Sequence, residues 1–290
     1  MPFSKFLHTR RRIVSAGSAF AVLVTLGLGA HAARNARHEQ PARHAVVTPD
    51  HAATPTSADR LALIIGNSAY PDADAPLAQP VNDARALAAQ LRGQGYDVQE
   101  AENATRAETE AAIARIERKI TPQSVVVIYF AGYGVQSGSD NFMIPVDAAI
   151  WKERDVRRSG INITAMLKGF QHKGARANVA VIDASRRNPY ERRYRNYSRG
   201  LAPIEAAKNT IVVSSAAPGS VLDDANGKHS LLMETLLAQL GSNGENAEAM
   251  FASIRSEVSG KTDGQQLLTI TSTLPDDVKI ASDRMAEKRS

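Results

Sequence analysis

Two stretches of the chain place polar side chains directly after uninterrupted apolar runs. Ser124-Val125-Val126-Val127-Ile128-Tyr129-Phe130 leads into Ala131-Gly132-Tyr133-Gly134. Asn178-Val179-Ala180-Val181-Ile182-Asp183 leads into Ala184-Ser185-Arg186-Arg187-Asn188-Pro189. The first exit offers a phenol, and the second an alcohol beside two guanidinium groups. An alcohol acts as a nucleophile only when a neighbouring base takes its proton. The chain has no cysteine, which excludes a thiolate nucleophile, disulfides and thiolate metal ligands. From residue 59 onward the only imidazoles are His172, between a helical segment and a strand, and His229, just ahead of a helical segment.

The elements that position these residues follow from periodicity. Leu61-Ala62-Leu63-Ile64-Ile65 is a short apolar run ending at Gly66-Asn67, as expected of a parallel strand buried on both faces. Asn82 to Arg92 carries Ala84, Leu87, Ala88 and Leu91 at helical spacing, with Gly93 and Gly95 as stops. Tyr96-Asp97-Val98 begins a second strand. Thr105 caps a helix through Lys119, and Glu108 three residues on completes a capping box. Ile163 to Phe170 reads as a helix, Thr210 to Ser215 as a strand, and Ser230–Leu240 and Ala247–Val258 as helices. Strands alternating with helices imply a mostly parallel α/β sheet covered on both faces, which takes ligands at the carboxyl ends of its strands.

Four segments of this pattern resemble the caspase and metacaspase clan of cysteine endopeptidases, peptidase family C14. They are Leu63-Ile64-Ile65-Gly66-Asn67-Ser68-Ala69-Tyr70, Pro80-Val81-Asn82-Asp83-Ala84 and the two exits, with Gly264-Gln265-Gln266 and Ser272-Thr273-Leu274 similar to the closing segment. The resemblance covers about residues 59–283. It implies a caspase-like three-layer sandwich with a mostly parallel central sheet of about six strands and helices on both faces. It also places the family's catalytic His at Tyr133 and its nucleophilic Cys at Ser185. These positions are 52 apart, against roughly 50 in caspases.

The substitutions at those positions bear on function. In the family the imidazole helps to generate the attacking thiolate. A serine hydroxyl is far less acidic than a thiol and needs a good base. A phenol with a pKa of about 10 is ionised in only about one molecule in a thousand at pH 7. The expected function is therefore a catalytically impaired homologue, a pseudopeptidase acting as a binding or regulatory module. The alternative is an active hydrolase using Ser185, with Tyr133 or His229 as partner. His229 serves as base only within hydrogen-bond reach of Ser185; otherwise it is an ordinary residue at a helix N-terminus.

The resemblance further makes Asp83 and Asp183 substrate-binding residues, two carboxylates that would take an Arg or Lys side chain. Asp83 equally suits a helix cap, and Asp183 the end of a strand. Gly132 and Gly134 suit either amides aimed at a bound carbonyl or simple turns. Arg186, Arg187, Arg192, Arg193, Arg195 and Arg199, interleaved with Tyr190, Tyr194 and Tyr197, form either a solvated loop or one that binds anions or partners or is nicked by proteases. Such a loop can also stack on single-stranded nucleic acid, which an exported chain seldom meets. Its basic character opposes a calcium site, and neither a metal nor another cofactor is expected.

The N-terminus sets the remaining expectations. Arg10-Arg11-Arg12, the apolar Ile13 to Ala30 and Ala30-His31-Ala32 read as a signal peptide over 1–32, or as an uncleaved anchor. Thr9-Arg10-Arg11 partly matches a twin-arginine signal. Residues 33–58 read as a disordered linker, 59–283 as the domain and 284–290 as a tail. Residues 1–58 hold seven Lys/Arg and two acids, leaving 28 of each from residue 59 onward. The body is neutral, so no nucleic-acid partner follows from charge. The expected partner is a peptide or protein bearing Arg or Lys side chains, met in the periplasm or outside the cell. Contact with a membrane is expected only through an uncleaved anchor, and the oligomeric state stays open.

Overall fold

β1 (Arg60–Gly66), β3 (Val125–Ala131) and β7 (Ala177–Asp183) are buried at every position. Their alternate residues enter two different cores, the pattern of parallel strands covered on both faces. Val125, Val127 and Tyr129 pack with α1 (Pro80–Gly93), α5 (Leu231–Gly241) and α6 (Ala247–Lys261). Val126, Ile128 and Phe130 pack with α2 (Arg106–Glu117) and α4 (Ile163–His172). With β2 (Asp97–Glu102), β8 (Thr210–Ser214) and β9 (Thr269–Ser272), the sheet order is β2-β1-β3-β7-β8-β9. Every pairing is parallel except β8 with β9. The three-layer sandwich expected from the sequence is thus present.

The computed structural model describes residues 59–281, apart from 72–76, 191, 194–199, 223–226 and 242–244. The signal segment 1–32, the linker 33–58, the tail 284–290 and most of the second half of the Arg/Tyr loop lie outside the described residues. Among the described residues, no helix is long and apolar enough to cross a membrane.

Local signals acted largely as read. The capping box of α2 forms, with the Glu108 amide donating to Thr105 Oγ1 and the Thr105 amide to Glu108 Oε2. α1 starts two residues earlier than its periodicity suggests, because Gln79 is its N-cap and Pro80 takes the first turn. Asp83 is therefore inside the helix and does not cap it. A second, antiparallel sheet of β4 (Gly134–Ser137), β5 (Asp140–Met143) and β6 (Ile161–Asn162) was not expected, nor was α3 (Glu153–Ser159). Strands this short carry too few residues to display a period.

Three buried phenols make the fold sensitive to alkali. Burial raises Tyr70 and Tyr129 well above the usual phenol range and Tyr96 to about 12. The folded chain keeps these protons where the unfolded chain, with phenols near pH 10, gives them up. Their contribution is complete below about pH 10 and is lost as pH rises through the folded values. Stability should fall by about 4 kcal/mol per pH unit above about pH 10. Urea midpoints between about pH 9 and 11 would measure this, and Tyr96→Phe should reduce the slope by about one third. A flat profile would contradict it.

Candidate functional site

β3 and β7 end side by side, with Ala131 opposite Asp183. The pairing continues beyond them: the Gly132 amide donates to Asp183 O at 3.4 Å and the Gly134 amide to Ala184 O at 3.2 Å. Tyr133 and Ser185 thus sit on neighbouring exits at the carboxyl edge of the sheet. The strands approach too closely for a side chain at 134, where a Cβ would lie 2.8 Å from Ala184 O. Gly132 has φ +155°, and a Cβ there would meet Tyr70 Oη at 2.4 Å.

Tyr70, to which the sequence assigned no role, locks this exit. Its hydroxyl accepts from the Tyr133 amide at 3.0 Å and donates to Ile144 O at 3.0 Å. The Tyr133 ring packs edge-on against Tyr70, with centroids 4.8 Å apart, in an apolar cluster with Val135, Phe142 and Tyr190. The amides of residues 132 to 134 are all engaged within the fold and are not free to receive a ligand carbonyl.

Ser185 is buried, and its carbonyl accepts from the Leu222 amide at 2.7 Å. Among the described residues, its hydroxyl makes no hydrogen bond to an imidazole or carboxylate. His229 has a different partner: its Nδ1 lies 2.8 Å from Asp83 Oδ1. Asp83 is 0 % exposed and also accepts from the Ser230 amide at 3.2 Å. The first turn of α1 holds the same loop, as Gln79 Nε2 donates to His229 O at 3.1 Å and Asn82 Nδ2 to Lys228 O at 3.3 Å. With the carboxylate accepting, Nδ1 carries the imidazole proton. His172 ends α4 and is exposed.

Asp183, 3 % exposed, shares the α1 face of the sheet with Tyr129. Its Oδ1 lies 3.6 Å from Arg186 Nη1, while among the described residues its Oδ2 has no hydrogen-bond partner. Among the described residues, the buried hydroxyls of Tyr129 and of Ser215, the residue after β8, likewise lack partners. Burial, and then the Asp183 charge, push the Tyr129 phenol up. For Asp83 burial also comes first and raises the carboxyl; the His229 and Ser230 bonds oppose it, and the Asp183 charge adds to the rise. The two carboxylates therefore sense one another.

The structure brings Tyr133, Ser185, Gly132, Gly134, Asp83 and Asp183 to one edge of the sheet. It adds two partners that the sequence did not assign: His229 for Asp83 and Arg186 for Asp183. Nothing in the sequence separates the buried Arg186 from the exposed Arg187 beside it. Farther along the same loop, the Arg193 guanidinium stacks over Trp151 at 4.6 Å and donates to Ile150 O at 2.9 Å. Among the described residues, no group of three His, Asp or Glu side chains is placed to hold a metal.

No curated protein matches the sequence. The family model of the caspase domain matches residues 59–279, which span the whole six-stranded sheet and both exits. The chain belongs to the caspase-domain family.

Proposed function

We propose that this chain is a catalytically impaired caspase-domain protein, an exported binding or regulatory module that does not work as a peptidase. One observation carries the reading: among the described residues, no imidazole or carboxylate is hydrogen-bonded to the Ser185 hydroxyl. The Tyr133 ring is packed against Tyr70, and the His229 ring is bonded to Asp83. Losing the nucleophile or base of such a unit costs on the order of a millionfold in turnover.

The ligand assigned to this module is a peptide segment presenting a cationic side chain to Asp183 and Asp83. Supporting this are a buried carboxylate oxygen and two buried hydroxyls on one face of the sheet that lack partners among the described residues. Charged groups removed from water are retained when something pairs with them.

A second reading rests on the Asp83–His229 bond, which orients an imidazole as a base is oriented in Ser-dependent hydrolases. One comparison decides between the two. Purified natural chain and Ser185→Ala are assayed on peptides containing Arg and Lys. The expected turnover is at background for both. Efficient cleavage by the natural chain, abolished by Ser185→Ala, would establish the hydrolase instead.

A further inference from the structure

The geometry points to Arg186 as the residue that decides whether Asp183 accepts a cation from a ligand. Its own guanidinium stands where a ligand's basic side chain would meet Asp183. This rests on the reading of Asp183 as part of a ligand site.

Arg186 is 6 % exposed, although an arginine is almost never buried without partners. Its Nη1 donates to Asp183 O at 2.5 Å and to Gly132 O at 3.3 Å, bridging the ends of β7 and β3. Toward the Asp183 carboxylate it reaches only 3.6 Å, outside hydrogen-bond range. An arginine opposed to a carboxylate commonly makes two parallel bonds. Here Nη1 is directed to main-chain carbonyls, and among the described residues Asp183 Oδ2 has no hydrogen-bond partner.

The consequence is a carboxylate paired only loosely from within: Asp83 is hydrogen-bonded to His229, and Asp183 has a poorly aligned Arg186 beside it. A cation arriving on the end of a flexible ligand side chain is not tied three residues away along the same backbone, as Arg186 is. It can approach Asp183 Oδ2, which among the described residues has no hydrogen-bond partner, once Arg186 has moved aside. To enter, it must displace Arg186. Because Arg186 also holds Gly132 O, its displacement releases a contact at the exit that carries Tyr133.

The test uses the natural chain, Arg186→Ala and Arg186→Ala/Asp183→Asn, each titrated with N-acetyl-arginine amide. Calorimetry reads the affinity and thermal unfolding reads the melting temperature. Arg186→Ala should bind at least about tenfold more tightly than the natural chain. Its melting temperature should lie below that of the natural chain and rise on adding the probe, as occupancy stabilises the folded state. The double variant should show neither effect. Equal affinity in the natural chain and Arg186→Ala overturns the role of Arg186 and leaves the ligand site standing. Absence of binding in both overturns the ligand site, and the role of Arg186 with it. Should Arg186→Ala not fold alone, Arg186→Gln, which keeps polar donors without the charge, is compared in the same way. Its failure to bind more tightly than the natural chain counts equally against the proposal.

Discussion

Tyr133→His combined with Ser185→Cys is expected to cleave peptide bonds about a thousandfold faster than the natural chain. The two positions lie on neighbouring exits, one after each of two paired strands, and the expected gain requires an imidazole at 133 to turn toward a thiol at 185. A neighbouring imidazolium lowers a thiol's pKa from about 8.5, and the thiolate is the attacking species. The gain should fall short of the roughly millionfold separating intact from disabled units. The amides of Gly132 and Gly134 remain bonded to Asp183 O and Ala184 O, so the developing oxyanion lacks these two donors. Arg186 also remains in front of Asp183. Adding Arg186→Ala should therefore increase cleavage after arginine more than cleavage after neutral residues. Hydrolysis of fluorogenic peptides measures both gains, and the pH profile of alkylation by iodoacetamide reports the introduced thiol. A folded double variant whose thiol titrates at about 8.5 and cleaves nothing would mean that the two exits do not face each other.

The sequence makes the layers legible where burial is complete. β1, β3 and β7 are apolar runs with no polar face, and a parallel sheet covered on both sides accounts for that composition. The helices over it declare themselves by spacing, and α2 also by its capping box. β9 is harder to see, because Thr269 and Thr271 alternate with Ile270 and Ser272 in a half-buried edge strand. The positions at the site are legible through their order along the chain, but their pairings are not. Asp83 and His229 are 146 residues apart, and no period or short motif connects them. Arg186 and Arg187 are identical in type, and only the fold turns one inward. Tyr70 is an unremarked aromatic until Gly132, which admits its hydroxyl, is placed beside it. Chain order thus reveals which residues reach the edge of the sheet, and three-dimensional packing decides what each of them touches.

Asp83→Ala is expected to destabilise the domain by about 3–5 kcal/mol, lowering its melting temperature by about 10 °C. The carboxylate is wholly buried and accepts from both His229 Nδ1 and the Ser230 amide at the start of α5. Its removal leaves two donors without an acceptor and takes a negative charge from a helix N-terminus. His229→Ala added to Asp83→Ala should cost much less than it does alone, because one interaction is then counted only once. Additive losses would show that the pair is not energetically coupled. The pH dependence has a definite sign. Burial raises the Asp83 carboxyl above its ordinary value, so the folded chain holds that proton to a higher pH than the unfolded chain. This contribution is complete below about pH 4 and is lost as pH rises through the folded value. The margin of the natural chain over Asp83→Asn should accordingly shrink across the weakly acidic range and then level off. A margin that grows with pH would mean that the bonds from His229 and Ser230 outweigh burial and hold Asp83 ionised. Asp83 would then be a fixed charge beside Asp183, and the electrostatic case for a cationic ligand would be stronger.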